Sequence, residues 1–307
     1  SSSSLLIRSK NPRRCQAENP LKLLSEFAGP ALFIRWPVDY LRSDNSEESS
    51  MSGSITLTLI GGPTVLIEYN GFRLLTDPTF DPPGQYQGPH SPVKHVKTEG
   101  PSISGENVGR LDAVLLSHDH HFDNLDNLGR ALLPKVGAVY TTMSGAQRLG
   151  GNAVGIDPFE ARFLEGKDSQ RLIVTATPAR HGPVGVEAGD VVGFALGAEQ
   201  PGDLIYITGD TLWFDGTAEV ARKFSPRIVI LHTGAAEPRG RFHMTMGSED
   251  ALEAARAFPD AALVAVHNEG WGHLRESQDQ LAEVFASFNL SKRLTRFEKG
   301  EALTISW

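Results

Sequence analysis

The sequence predicts an α/β protein. Short apolar runs rich in Val, Ile and Leu recur along the chain, segments with helical spacing lie between several of them, and Gly or Pro follows many of the runs. The hydrophobic content of 40% and the charged content of 21% are ordinary for a soluble globular protein. The 307 residues suffice for one large α/β domain or two smaller ones.

The apolar runs define the expected strands. The first three precede a loop over 81–105 that is rich in Pro and Gly, and we expect this loop to border an active site and its His90 and His95 to be solvated. Asn70-Gly71 predicts a tight turn between the second and third strands. The predicted strands are 55–60, 65–69, 72–76, 111–116, 136–140, 171–176, 191–196, 204–208, 227–231, 263–266 and 302–307.

Three segments have the spacing of amphipathic helices: 124–133, 248–258 and 277–288. Ser248 is the predicted N-cap of the second. Residues 1–50 differ in composition from the rest of the chain, with a Ser run, a basic patch and a polar stretch before Met51. We therefore expect a compact domain over 51–307 and an N-terminal extension over 1–50, partly flexible or artificial. The alternative is that 21–40 forms a helix or hairpin docked on the domain.

Charge and cysteine content limit the classes of partner. The net charge of −8 argues against a nucleic-acid partner, because phosphate recognition usually needs a basic face. No apolar run reaches membrane-spanning length, so no membrane insertion is expected. Cys15 is the only cysteine, which fits a cytoplasmic location. A small-molecule substrate is the expected partner. The sequence leaves open whether the protein forms a homo-oligomer.

The segment 117–124, Ser-His-Asp-His-His-Phe-Asp-Asn, carries the most chemical information. It follows the apolar run 111–116 and holds three of the ten histidines and two aspartates. Neutral imidazole and carboxylate are good ligands for a divalent metal such as zinc. Four further polar residues stand where predicted strands end: Asp77, His181, Asp210 and His267. Because rigid strands place functional residues at one sheet edge, these positions predict a metal site.

This order of residues resembles the metallo-β-lactamase-fold hydrolases, in particular the branch with ascorbate-phosphate lactonase-like and phospholipase D-like members. The segments 61–68 and 75–78 are similar to the family's opening hairpin, and the segment at His118 is similar to its His-x-His-x-Asp-His motif. His181, Asp210 and His267 follow in the order of the family's third His, bridging Asp and last His. The resemblance covers most of 55–307 and implies a four-layer αββα sandwich.

The motif departs from the family pattern. If His118 and His120 are its first two histidines, Phe122 takes the Asp position; if 121–123 supplies the His-x-Asp, Asn124 replaces the final His. The resemblance implies a first metal site from His118, one or both of His120 and His121, and His181. It implies a second from Asp123, Asp210 and His267, with Asn124 as a weak oxygen ligand. We expect one or two ions, zinc first, with manganese or iron as alternatives, and a weaker second site.

Other residues have two interpretations each. Asp77 either orients the His-rich loop, which we define as 117–124, as its family counterpart does, or starts a turn before Pro78. His232 ends a strand and either reaches substrate or packs in the core. His243 is either a rim residue or a packed loop residue, and Trp271 either lines the pocket with His273 or packs in the core.

The predicted function is metal-dependent hydrolysis, in which metal-activated water attacks a lactone, a phosphodiester or a simple ester. Asp210 would bridge the ions or hold the water, and Asp119 or Asp123 would pass a proton to the leaving group. The sequence has no Gly-x-Ser-x-Gly nucleophile motif. The altered motif leaves one alternative, a non-catalytic protein that keeps the fold and binds a metal or ligand.

Overall fold

The computed structural model describes residues 53–87 and 93–307. The predicted extension over 1–50 and His90 lie outside these residues. The domain boundary near Met51 therefore stays a prediction.

Two seven-stranded sheets and one small sheet make up the strands of the described residues. In chain order the strands are β1 (Ser54–Gly61), β2 (Thr64–Tyr69), β3 (Phe72–Thr76), β4 (Gly84–Tyr86), β5 (His95–Lys97), β6 (Ala113–Leu115), β7 (Ala138–Thr141), β8 (Ala153–Gly155), β9 (Ala161–Glu165), β10 (Arg171–Pro178), β11 (Val192–Gly197), β12 (Ile205–Ile207), β13 (Ile228–His232), β14 (Ala262–Val266), β15 (Leu294–Thr295) and β16 (Ala302–Ser306). The first sheet has the order β16-β1-β2-β3-β6-β7-β8, and the second has the order β15-β14-β13-β12-β11-β10-β9. β4 and β5 pair with each other.

Five α-helices accompany these sheets: α1 (Asn127–Leu132), α2 (Met143–Leu149), α3 (Asp215–Lys223), α4 (Ser248–Ala257) and α5 (Gln278–Ser287). Val220 of α3, Ala254 of α4 and Phe285 of α5 pack in one apolar cluster with Val229 and Leu263 of the second sheet. A separate cluster joins Val114 and Val139 of the first sheet to the leucines around α1 and α2. The helices therefore cover one face of each sheet.

The main core lies between the two sheets. Leu57 and Leu74 from the first sheet share a buried cluster with Phe194, Ile230 and Val264 from the second. Successive side chains of a strand point to opposite faces, so Val264 enters this core whereas Leu263 packs against the helices. This explains why 228–231 of β13 and all of β14 are apolar. The predicted four-layer αββα sandwich is confirmed.

The structure also differs from the sequence prediction in several elements. β4 and β5 lie within 81–105, which was predicted as loop, and α2 and α3 were not predicted. α2 has only seven residues, so its pattern is too short to show a helical period, although Thr142 caps it by accepting a hydrogen bond from the Gly145 backbone. The N-cap of α4 is Gly247, and Ser248 is its first helical residue.

The described helices are short. The longest, α4 and α5, have ten residues each. Within residues 53–87 and 93–307, no helix has the length and apolarity that a membrane crossing requires.

Candidate metal centre

Parallel strands bring the polar residues to a common edge in each sheet. β3, β6 and β7 pair in parallel in the first sheet, and β12, β13 and β14 pair in parallel in the second. The carboxyl ends of parallel strands meet at one edge. Asp77 and the His-rich loop follow β3 and β6, while Asp210 and His267 follow β12 and β14.

Three imidazoles converge in the first cluster, which we define as His118, His121 and His181. The distance from His118 Nε2 to His121 Nδ1 is 2.9 Å, and from His121 Nδ1 to His181 Nε2 it is 3.2 Å. Ligand atoms at about 2.0–2.1 Å from a tetrahedral zinc ion lie roughly 3.3 Å apart. The first cluster therefore has the spacing of three ligands around one ion.

The protonation of the first cluster suits metal binding. His181 Nδ1 donates to the Met244 carbonyl at 2.8 Å, which leaves Nε2 with its lone pair toward the cluster. Burial and neighbouring imidazoles lower the pKa values of His118 and His121 well below the ordinary range. Burial also lowers the pKa of His181, although Asp210 opposes this. All three rings are therefore neutral near pH 7, the state that can bind a cation.

The second cluster, Asp123, Asp210 and His267, lies beside the first. His267 Nε2 is 3.5 Å from Asp123 Oδ2, and His267 Nδ1 is 3.1 Å from Asp210 Oδ1. The other oxygen of Asp210, Oδ2, is 3.6 Å from His181 Nε2. Asp210 therefore contacts residues of both clusters.

Buried polar atoms without hydrogen-bond partners support a cation at this place. They include Asp123 Oδ1, Asp210 Oδ2 and His267 Nε2. A buried polar atom without a partner is costly, at about 1–3 kcal/mol and more for a charged group. A divalent ion between the clusters would satisfy all three atoms, so the residues present fit a metal.

His267 is the positively charged residue among the two clusters. Burial alone would lower the pKa of His267, but the carboxylates of Asp210 and Asp123 outweigh it and raise the pKa to about 10. Imidazole contacts hold the pKa values of Asp123 and Asp210 below the ordinary range despite their burial. At neutral pH a proton on His267 therefore balances part of the negative charge.

Metal binding at the second cluster should release about one proton at pH 6, because a metal ligand must be the neutral imidazole. The His267 pKa of about 10 lies far above this pH, whereas burial holds the pKa values of His118 and His121 well below the ordinary range. At pH 6 a water on the ion, with a pKa of about 7, adds little. Titration calorimetry in buffers of different ionisation enthalpy measures the release. Metal uptake at both clusters with no proton released would show that His267 is neutral beforehand.

Comparison with known proteins agrees with this geometry. The model of the β-lactamase superfamily domain matches residues 72–268. The chain belongs to the metallo-β-lactamase-fold family of metal-dependent hydrolases. It is 25% identical over 263 residues to the UPF0173 protein YddR of Bacillus subtilis, covering 81% of this chain and 100% of that protein. It is 27% identical over 244 residues to a UPF0173 metal-dependent hydrolase of Thermofilum pendens, covering 77% and 93%.

Solved structures of this family superpose well on the chain. The isothiocyanate hydrolase from Delia radicum gut bacteria aligns with a TM-score of 0.68 and 26% identity, covering 82% of this chain and 100% of that one. A structure from Veillonella parvula, described as a possible metal-dependent hydrolase, aligns with a TM-score of 0.70 and 22% identity, covering 81% and 99%.

Within the family motif, the structure separates the two adjacent histidines. His121 lies in the first cluster, whereas His120 Nε2 donates to the Ala188 carbonyl at 2.6 Å. Asp123 lies in the second cluster. Of the two alignments open from the sequence, the structure therefore places 121–123 as the His-x-Asp pair, with Asn124 at the final His position.

Asp77 lies beneath the His-rich loop. Its Oδ1 accepts a hydrogen bond from the Ser117 backbone at 2.6 Å, and its Oδ2 lies 3.4 Å from Asn124 Nδ2 and 3.6 Å from His232 Nε2. Asp77 and His267 both have positive φ, 28° and 59°. Such strain in residues other than glycine costs on the order of 1–3 kcal/mol and is concentrated at functional sites. Asp77 thus supports the His-rich loop through its contacts with Ser117 and Asn124, and His232 lies next to Asp77.

Asp77→Asn should weaken metal binding about 10- to 100-fold, the usual effect of changing a group that orients metal ligands. The amide keeps an acceptor for the Ser117 backbone but loses the negative charge opposite His232. Metal titration of the purified variant measures the change. Asp112→Asn is the matched control, since Asp112 also accepts a hydrogen bond from a backbone amide, that of Arg73, away from the clusters. Equal affinities in both variants would contradict an orienting role.

Three residues singled out in the sequence lie apart from the clusters. Asp119 is bound through both carboxylate oxygens by Arg148 of α2, so the geometry does not support the proton transfer that was predicted for Asp119. His243 Nδ1 lies 3.1 Å from Glu249, on the surface side. Trp271 is buried, packs edge-on to His95 and has the Lys97 ammonium 5.3 Å from its ring centroid.

Two histidines of the centre were missed. His95 was expected to be solvated, but it is buried and its Nδ1 lies 3.5 Å from Asp123 Oδ1. His273 was considered only as a pocket residue, yet its Nε2 lies 2.9 Å from Asp123 Oδ2. The position of His273 shortly after the β14 strand end was a usable signal. For His95 no sequence signal existed, because it comes from a Pro- and Gly-rich segment.

A narrow cavity of about 20 Å³ reaches the centre. A water molecule needs roughly 10–15 Å³ of such space. His95, His121, Asp123, His181 and His273 line one side of the cavity. The rest of the wall is mostly apolar, and it consists of Val93, Ala188, Ala236, Pro238 and Met244, together with the exposed Arg239. The space suits a metal ion or one water.

Proposed function

We propose that this protein hydrolyses an ester-type bond of a small molecule at the metal centre described above. The observation that carries the proposal is the convergence of His118, His121 and His181 at 2.9–3.2 Å next to Asp210. Neutral imidazoles with a carboxylate favour zinc, and the added carboxylate of the second cluster makes manganese or iron the alternatives.

Each residue of the centre has a distinct proposed role. His118, His121 and His181 would hold one ion, and Asp123 and His267 would hold another, with Asp210 between them. A divalent ion bound there lowers the pKa of a coordinated water to about 7, which provides hydroxide at neutral pH. Asp210 is placed to orient that water. Asp123 is the remaining carboxylate that can accept and return a proton, since Asp119 is bound by Arg148.

The substrate class within ester-type bonds is a narrower proposal. A lactone, a simple ester or a phosphodiester each offers a carbon or phosphorus that hydroxide can attack. The apolar wall of the cavity favours a small neutral acyl substrate over a highly charged one. The single cysteine, Cys15, fits action in a reducing compartment such as the cytoplasm.

An isothiocyanate is the second candidate substrate. The 26% identity over 82% of this chain to the isothiocyanate hydrolase from Delia radicum gut bacteria favours it. The central carbon of an isothiocyanate is an electrophile that hydroxide attacks much as it attacks a carbonyl. A small apolar isothiocyanate also suits the cavity wall.

Zinc-loaded protein should be assayed with four probes: p-nitrophenyl acetate, a homoserine lactone, bis(p-nitrophenyl) phosphate and benzyl isothiocyanate. Turnover of one of the ester-type probes that is lost with EDTA and restored by added metal supports the proposal. Turnover of the isothiocyanate alone selects the second candidate. Metal-loaded protein that turns over none of the probes favours the non-catalytic alternative.

A further inference from the structure

The His-rich loop of this chain lacks one imidazole that the family motif would provide. Asn124 stands at that position and is fully buried, and its amide nitrogen points to Asp77 Oδ2 at 3.4 Å and Ser117 Oγ at 3.5 Å. The amide nitrogen is thus directed to the support beneath the loop, while the amide oxygen is buried without a hydrogen-bond partner. Asp123 is left as the loop's ligand toward the second cluster.

Two other imidazoles stand against Asp123. His95 Nδ1 is 3.5 Å from Asp123 Oδ1, and His273 Nε2 is 2.9 Å from Asp123 Oδ2. The rings of His95 and His273 are 5.1 Å apart and nearly perpendicular. Both side chains are buried, with 5% and 8% of their surface exposed. Ligand atoms of these three residues form one of the groups that could hold an ion.

Hydrogen bonding at these residues is incomplete. His95 Nδ1 and Asp123 Oδ1 are buried and have no hydrogen-bond partner, although they face each other. A buried imidazole facing a carboxylate at 3.5 Å has the spacing of two ligands of one ion, roughly 3.3 Å.

The two histidines are held in place by a shared framework. The Gly272 backbone donates to the Val96 carbonyl at 2.8 Å, and the Thr98 backbone donates to the Gly270 carbonyl at 2.8 Å. These bonds join the segments that carry His95 and His273. The two segments are therefore fixed relative to each other.

The same framework is fixed to the His-rich loop. The buried Lys97 ammonium donates to Asp126 Oδ2 at 3.0 Å and to the Thr79 carbonyl at 3.1 Å. Asp126 lies three residues after Asp123 and also caps α1 by accepting from Gly129. The ion pair thus sets His95 in register with Asp123, as a preorganised metal site requires.

We propose that His95 and His273 take the place of the imidazole that the family motif would provide at position 124. Together with Asp123, they hold the second metal ion beside Asp210 and His267. This inference rests on the proposed function, because it takes the first cluster to bind an ion. It differs from the expectation from sequence, which was a weaker second site. One ligand of that ion then comes from the β4–β5 sheet rather than from the parallel strand ends.

The test is cobalt and zinc titration of the full chain, with elemental analysis and the visible absorption of bound cobalt as readouts. Wild type is expected to bind two ions. His95→Ala and His273→Ala are each expected to keep one ion and to bind the second at least about 100-fold more weakly, since loss of a mere supporting group already costs 10- to 100-fold. His243→Ala is the matched control, because His243 lies apart from the clusters.

The outcomes separate the two proposals. If both variants bind two ions with wild-type affinity, the inference is overturned, even where turnover falls, since the histidines would then act on substrate. A wild-type chain that binds one ion overturns the inference and leaves the proposed function standing. A wild-type chain that binds no ion overturns both. His95→Gln and His273→Gln, checked by circular dichroism, repeat the test if an Ala variant fails to fold.

Discussion

His121→Ala should lose the ion of the first cluster, whereas His120→Ala should keep it. His121 Nδ1 lies within 3.2 Å of both other imidazoles of that cluster, and His120 donates to the Ala188 carbonyl instead. Loss of one of three imidazole ligands should weaken binding by at least about 100-fold, beyond the effect of changing a supporting group. Zinc content by elemental analysis and competition with a chromophoric chelator measure this difference.

The paired design makes the result specific, since the two residues are adjacent, of the same type and changed in the same way. Turnover should fall with metal content in His121→Ala, by about 10²- to 10³-fold if several kcal/mol of metal stabilisation is lost. The opposite pattern, with metal lost from His120→Ala and kept in His121→Ala, would mean that the loop adopts the other alignment of the family motif.

Asp210→Asn should have the largest effect, with loss of tight metal binding at both clusters. Its two oxygens lie 3.6 Å from His181 Nε2 and 3.1 Å from His267 Nδ1, so one carboxylate serves both sites. The amide is nearly the same size but carries no charge and is a weaker ligand. We expect turnover to fall by about 10³-fold or more, because several kcal/mol of charge stabilisation depends on the ions.

Asp260→Asn is the matched control for this change, since Asp260 is exposed and lies between α4 and β14. Metal content and turnover should be measured on both variants, together with thermal unfolding to confirm that each is folded. An Asp210→Asn variant that retains two ions at wild-type affinity would show that the carboxylate does not bridge the clusters.

Much of the fold was predictable because its causes are local. Residues 228–231 of β13 and all of β14 are apolar, since the core lies on one face and α3 to α5 lie on the other. The capping box at Ser277 and Gln280 marks the start of α5 in the sequence itself. By contrast, β4 and β5 have three residues each, so they are too short to show a hydrophobic period.

The site was predictable to the extent that strand ends carry it. Asp210 and His267 follow strands of the parallel set β12–β14. His181 follows β10, which runs in the same direction because β11 is antiparallel to both β10 and β12. The choice between His120 and His121 depends on how the loop turns after β6, which adjacent residues of the same type do not reveal. His95 reaches Asp123 through the contact of Lys97 with Asp126, a pairing of distant residues that spacing along the chain does not indicate.

The most direct test of the first cluster as a metal site is an anomalous X-ray difference map of a zinc-loaded crystal, collected at the zinc edge. We expect a peak at about 2.0–2.1 Å from His118 Nε2, His121 Nδ1 and His181 Nε2, with Asp210 as a further ligand. A peak that leaves His121 or His181 uncoordinated, or no peak at these residues in a zinc-saturated crystal, would contradict this expectation.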